Sequence, residues 1–159
     1  MNPLLEKFNT KYTSSPFEEI KEEHYLPAFQ ELVKISEKEI DDITNNPEAP
    51  TFENTIEAMA FSGEQLDRVS NIFFNLNSAE TNDEIQKIAQ EVSPLLTEFS
   101  SKISQNEKLF DIIKSVYDQK DSLSLNEEQQ TLLNETYKGF VRSGALLSEE
   151  DKKKLEKIN

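Results

Sequence analysis

Three observations predict an all-α fold for this chain: apolar residues recur at helical spacing along most of its length, glycines number only 3, and the 6 prolines stand at positions 3, 16, 27, 47, 50 and 94. Punctuation this sparse leaves no room for the frequent turns of a many-stranded β fold. The expected architecture is a bundle of about five to six mostly antiparallel helices, with an extended N-terminal arm. Residues 1–20 are read as that arm and the lead into the first helix, and residues 21–159 as a helical domain truncated from a longer chain.

The arm shows no sustained period up to Thr13-Ser14-Ser15-Pro16, which suits a segment running over the surface. The first helix is expected to open near Glu22-Glu23 and to tolerate Pro27 in its opening turns. Leu26, Phe29, Leu32 or Val33, Ser36, Ile40 and Ile43 form its inward stripe. Asn45-Asn46-Pro47 ends it, and Pro47 to Pro50 turn, because each proline pushes its predecessor out of the α region. Thr51 then caps a second helix, and the stripe Phe52, Ile56, Met59, Gly63, Leu66, Ser70 and Phe73 predicts one long element. Gly63 and Ser70 are the small members of that stripe. Close approach of a neighbouring helix is expected there, with a bulky residue at Gly63 clashing at a cost of ~1–3 kcal/mol.

The pattern lapses at Asn75-Leu76-Asn77-Ser78. Thr81 and Glu84 read as a capping box for a third helix bearing Ile85, Ile88, Val92, Leu95, Phe99 and Ile103. Because that stripe continues beyond Pro94, a kink within a turn of the proline is expected rather than a break. Asn106 caps a fourth helix with Leu109, Phe110, Ile113, Val116 and Tyr117, and Asp121-Ser122-Leu123-Ser124 forms the following turn. Asn126 with Gln129 opens a fifth, carrying Leu133, Tyr137 and Phe140 and closed by Ser143-Gly144, where Gly144 suits the left-handed conformation of helix ends. Ser148, followed by Glu149, Glu150 and Asp151, reads as the cap of a sixth helix with Leu155 and Ile158. That helix is expected to continue in a longer protein.

The 159 residues are 35% hydrophobic, with 10 Phe and 4 Tyr, enough apolar material for one core. Charged residues make up 30% and mean hydropathy is −0.67, but the regular apolar spacing predicts folding rather than disorder. A net charge of −14 repels phosphate backbones and anionic lipid surfaces, so neither nucleic acid nor membrane partners are expected. The absence of cysteine removes disulfides, thiolate metal sites and cysteine nucleophiles. The opening Met1-Asn2-Pro3-Leu4-Leu5-Glu6-Lys7 has neither a basic leader nor a long apolar run, which predicts a cytoplasmic protein.

Hydrolytic chemistry finds no support in these residues. A metal cage needs two or three closely held ligands, as when H-E-x-x-H places two imidazoles on one helix face, and this chain has the single imidazole of His24. His24 is read as a capping or packing residue. No G-x-S-x-G elbow surrounds any serine, and Gly63, Gly139 and Gly144 are isolated from any phosphate-binding loop. Of the carboxylate pairs Glu22-Glu23, Asp41-Asp42, Asp83-Glu84 and Glu127-Glu128, three stand at helix openings, where they complement the dipole. Asp41-Asp42 lacks a D-x-D-x-D-G loop for calcium. The rings of Phe73-Phe74 beside Asn75, Asn77 and Asn82 form the most suggestive surface, since amides next to rings can bind a peptide backbone. The simpler reading makes Phe73 core, Phe74 a helix contact and the amides helix-end residues. No catalytic, cofactor-binding or metal-binding residue is assigned.

Asn2-Pro3-Leu4-Leu5, Pro16-Phe17 with Ile20, and His24-Tyr25-Leu26-Pro27-Ala28-Phe29 resemble the opening of bacterial peptidyl-dipeptidases of the thimet oligopeptidase family. The resemblance continues in order through Asn45-Asn46-Pro47-Glu48-Ala49-Pro50-Thr51-Phe52-Glu53-Asn54-Thr55-Ile56, Ser62-Gly63, Asp67-Arg68-Val69-Ser70, Phe73-Phe74-Asn75-Leu76 and Thr81-Asn82-Asp83-Glu84. Asp121-Ser122-Leu123, Phe140-Val141-Arg142-Ser143-Gly144-Ala145 and Leu147-Ser148-Glu149-Glu150-Asp151-Lys152 extend it over essentially the whole chain.

The resemblance implies a longer helical enzyme with a deep channel between two halves and a zinc centre built from H-E-x-x-H plus a downstream Glu. In that family zinc polarises the carbonyl and activates water while the motif Glu acts as base, releasing dipeptides from peptide C-termini. This segment would help wall the channel and restrict it to flexible peptides, with zinc bound outside the segment and none within it. Its implied partners are a C-terminal catalytic portion and a short peptide substrate. Helix faces meant for the missing portion would also permit self-association. The competing reading is a free-standing acidic helical adaptor that binds a partner protein through its charged surface or the Phe73-Phe74 patch.

Overall fold

The computed structural model describes residues 2–147 together with Glu150 and Asp151. Every regular element among them is helical, and no strand forms. The segment before the first helix holds short 3-10 turns at Pro3–Leu5 and Lys11–Thr13, and it buries Leu4 and Phe8. A further 3-10 turn, Glu22–His24, leads into α1 (Tyr25–Thr44). A π turn at Phe52–Glu57 runs into α2 (Ala58–Phe61), followed by α3 (Glu64–Ala79), α4 (Asp83–Ser104), α5 (Glu107–Asp118) and α6 (Glu127–Arg142). The cap expected at Ser148 and the apolar positions Leu155 and Ile158 lie outside the described residues.

The expected long second helix is interrupted. Thr51 does cap its start: its hydroxyl oxygen accepts from the Asn54 N–H at 3.1 Å, and the Asn54 amide oxygen accepts from the Thr51 N–H at 2.7 Å. The first turns are nevertheless π rather than α, with the Ala58 N–H reaching back to the Glu53 carbonyl. The run then breaks at Gly63, which takes φ +75° and serves as N-cap of α3. Phe52 and Ile56 before the break join one core, whereas Leu66, Val69 and Phe73 after it join another.

Gly63 meets a backbone requirement beside the close approach its spacing suggested. A Cβ there would meet the Ser36 hydroxyl oxygen at 3.6 Å, an ordinary contact, so space alone admits an alanine. The constraint is the positive φ, which L-residues with a Cβ adopt at a cost. The Glu39 carboxylate stabilises the break by accepting the Gly63 N–H at 2.8 Å, a charge-assisted bond across 24 residues of sequence.

The cap of α4 also differs from expectation. Asn82, not Thr81, accepts the free amides, taking the Glu84 N–H at 3.0 Å and the Ile85 N–H at 2.9 Å. Thr81 instead donates its hydroxyl to the Asn77 amide oxygen at 3.1 Å. α4 runs without a break through Pro94, as its continuous stripe required. Asn106 caps α5 by accepting from the Leu109 N–H at 2.9 Å, and Asn126 with Gln129 forms the capping box of α6. α6 closes on a left-handed Gly144 at φ +91°, with the Ala145 N–H bonded to the Phe140 carbonyl and the Gly144 N–H to the Val141 carbonyl. That pair of bonds is the Schellman arrangement.

The chain divides into two compact units, Met1–Glu39 with Ser62–Phe99 and Ile40–Phe61 with Ser100–Asn159. In the first, Leu4, Tyr25, Phe29, Leu32, Leu66, Val69, Phe73, Ile85 and Val92 are buried together. Phe73 is its centre, lying 4.9 Å from the Tyr25 ring, 5.5 Å edge-on from Phe29 and 5.2 Å from Phe74. In the second, Ile40, Phe52, Ile56, Leu109, Phe110, Ile113, Val116, Leu133 and Phe140 form the core. There Tyr117 and Tyr137 stack at 3.9 Å, and Phe110 lies between Tyr137 at 5.8 Å and Phe140 at 6.2 Å.

Candidate functional site

The surface that the sequence marked as most suggestive is committed to structure. Phe73 is fully buried, and Phe74 packs on it and on Phe29 at 6.5 Å. The neighbouring amides are engaged as well. Asn75 donates to the Asn71 carbonyl at 2.7 Å, Asn77 accepts from Thr81, and Asn82 caps α4 while donating to the Glu22 carboxylate at 2.6 Å. With Phe73 in the core, Phe74 half-buried against it and Asn82 joined to Glu22, this cluster ties α3 and α4 to the lead-in of α1.

His24 has the capping role its position suggested. Its Nδ1 accepts from the Lys21 N–H at 3.0 Å, which places the proton of a neutral ring on Nε2. Its carbonyl receives the Asn2 side-chain amide at 2.8 Å, so the residue joins the N-terminal arm to the start of α1. Glu22 and Glu23, Asp83 and Glu84, and Glu127 and Glu128 all occupy first turns, where carboxylates complement the helix dipole. Asp41 and Asp42 lie exposed in the last turn of α1. Among the described residues no group of three or more His, Cys, Asp or Glu side chains is arranged to hold a metal ion.

Two concavities were not legible in the sequence. One, of about 370 Å³, lies in the second unit between the opening of α5 and the turn after α6, lined by Asn106, Glu107, Phe110, Lys114, Gly144 and Leu146. Lys114 is engaged with Asp118 at 2.5 Å, and that hydrogen bond holds its ammonium above the ordinary lysine range. The other, also about 370 Å³, lies in the first unit under the arm, between Pro3, Glu6, Phe8, Pro16, Glu19 and His24.

The arm itself is held by contacts no sequence pattern announced. Gln65 donates to the Leu5 carbonyl at 2.8 Å, and Arg68 donates to the Glu6 carbonyl at 3.2 Å with its guanidinium 4.2 Å from the centre of the Phe8 ring. The one available signal was Phe8 itself, an aromatic residue in a segment without period.

Residues 29–152 match the Neurolysin/Thimet oligopeptidase, N-terminal domain family, well over half of the chain. The chain belongs to that family. Among curated proteins, this N-terminal domain is 40% identical over 158 residues to a dipeptidyl carboxypeptidase of Salmonella typhimurium, covering 99% of the chain and 23% of that protein. It is 38% identical over 159 residues to the dipeptidyl carboxypeptidase of Escherichia coli, again 23% of its length. It is 26% identical over 157 residues to an oligopeptidase A of Salmonella typhimurium, or 22% of that protein. The domain thus spans less than a quarter of the relatives it matches, aligned from one end of the chain to the other. No helix among its described residues is long and apolar enough to cross a membrane.

Proposed function

We propose that this chain is the N-terminal helical channel-wall segment of a cytoplasmic zinc peptidyl-dipeptidase that releases C-terminal dipeptides from short peptides. The observation that carries the reading is the span of the likeness: 40% identity over 99% of the chain but only 23% of a dipeptidyl carboxypeptidase. A segment of that kind contributes walls rather than chemistry. Among the described residues no group of three ligating side chains comes together to fit a zinc ion, and on this reading the ligands lie in other polypeptide. No step of hydrolysis is therefore assigned to a residue of this chain.

What these residues do is hold shape. Within each unit, capped helices and a packed core hold the elements in place, and a wall built of such units would admit flexible peptides while excluding folded chains. The acidic surface, at a net charge of −14, argues against a polyanionic substrate. The catalytic remainder of the enzyme and a short peptide are the partners this reading requires.

The test is an assay of the chain with zinc and a blocked short peptide, repeated after the remainder of the dipeptidyl carboxypeptidase is added as a separate chain. Dipeptide release in the second mixture alone is expected. Release by the chain alone would overturn the reading, because no residue set described above accounts for it.

A further inference from the structure

We propose that His24 is a pH-operated latch at the foot of α1: its neutral ring caps the Lys21 N–H, and its charged ring turns into the cavity beneath the arm, toward the carboxylates of Glu6 and Glu19. His24 is the one imidazole of the chain, and imidazole is the side chain that changes charge between about pH 5 and 8. The geometry around it suits only one of its two states. Nδ1 accepts from the Lys21 N–H at 3.0 Å, so that nitrogen presents a lone pair. Protonation puts a second N–H there, aimed at the first, and two donors cannot bond to each other. The charged ring has to give up the cap.

A place for that ring lies next to it. His24 is half-buried beside the cavity of about 370 Å³ whose lining brings together Glu6 and Lys7 of the arm, Glu19 of the segment that follows, and His24 itself. Glu6 and Glu19 supply acceptors for a charged imidazole, with Lys7 the opposing charge on that wall. On its own turn His24 stands with Lys21, Glu22 and Glu23, and Glu22 already receives the Asn82 amide from α4 at 2.6 Å. Arg68 of α3, which also reaches the arm, is turned to the Glu6 carbonyl and the Phe8 ring. The backbone keeps its own ties when the ring leaves: the His24 N–H donates to the Lys21 carbonyl at 3.0 Å, and the His24 carbonyl accepts the Asn2 side-chain amide at 2.8 Å. The ring can therefore switch without unwinding α1, exchanging a helix cap for a charged tie to the arm.

Nuclear magnetic resonance of the full 159-residue chain from about pH 5 to 8 reads each step. The ring nitrogens of His24 report its charge, the Lys21 amide proton reports the cap, and nuclear Overhauser contacts from the ring report where it lies. At the alkaline end the Lys21 amide is expected in a bonded position, with the ring proton on Nε2. On acidification that amide should move upfield together with the ring signals, and contacts from the ring to the Glu6 and Glu19 side chains should appear. His24→Gln keeps an acceptor that does not titrate, so its Lys21 amide should hold still across the range. The double substitution Glu6→Gln, Glu19→Gln should remove the acid-form contacts while leaving the cap of the neutral ring in place. A Lys21 amide that ignores the titration of the ring overturns the proposal, as does one that moves equally in His24→Gln. So does a charged ring without contact to Glu6 or Glu19, or one whose contacts survive the double substitution.

Discussion

Two residues show how local physics sets sensitivity to substitution. The Tyr25 ring is buried against Phe73, but its hydroxyl has no hydrogen-bond partner among the described residues, and burial pushes its ionisation above the ordinary value of 10.0. A buried, unbonded hydroxyl costs stability, so Tyr25→Phe should raise unfolding free energy by about 1 kcal/mol near neutral pH, measured by urea titration. Above pH 10 the unfolded chain releases this proton while the folded chain keeps it, so folding stability falls as pH rises through the shifted value. Tyr25→Phe should flatten that part of the alkaline slope. At Gly63 the controlling quantity is φ rather than space. Gly63→Ala is expected to cost about 1–2 kcal/mol, and Gly63→Asn less, because asparagine tolerates the left-handed region better. Equal cost for both would point to sterics instead.

At the level of elements, apolar spacing located α1, α4, α5 and α6 to within a few residues, because each presents one face to a core and that face repeats with the helical period. Capping chemistry located the starts of α5 and α6 by the same logic. Where the reading failed, the competing interactions were invisible to spacing. At Gly63 a carboxylate 24 residues away stabilises a left-handed break, and at Phe52–Glu57 the hydrogen bonding shifts by one residue to make a π turn. At the start of α4, two adjacent residues both had capping side chains, and the structure uses Asn82. Asn82→Ala should therefore lower stability by about 1 kcal/mol, while Thr81→Ala should stay within about 0.5 kcal/mol, as read from thermal or denaturant unfolding. The reverse order would restore Thr81 as the cap.

For the molecule as a whole, composition announced a helical, acidic chain with material for a core, and the structure sorts that material into two cores. Periodicity says that Phe29 and Ile40 both face inward from α1, but not that they join different clusters, since spacing along one helix carries no information about its partners. The suggestive Phe73-Phe74 and asparagine surface resolved into core and caps by the same token: once neighbouring helices are in place, the rings have partners and the amides have backbone to bond. No arrangement of catalytic groups was legible in the sequence, whose single imidazole is His24.

The most direct measurement grafts this chain in place of the matching 23% of the Escherichia coli dipeptidyl carboxypeptidase and follows dipeptide release from a blocked short peptide. If the segment is a channel wall, the folded chimera should release dipeptides within about tenfold of the parent rate and leave folded proteins uncut, whereas the parent lacking the segment should not. A folded chimera without activity, or a parent that works equally well with the segment deleted, would contradict it.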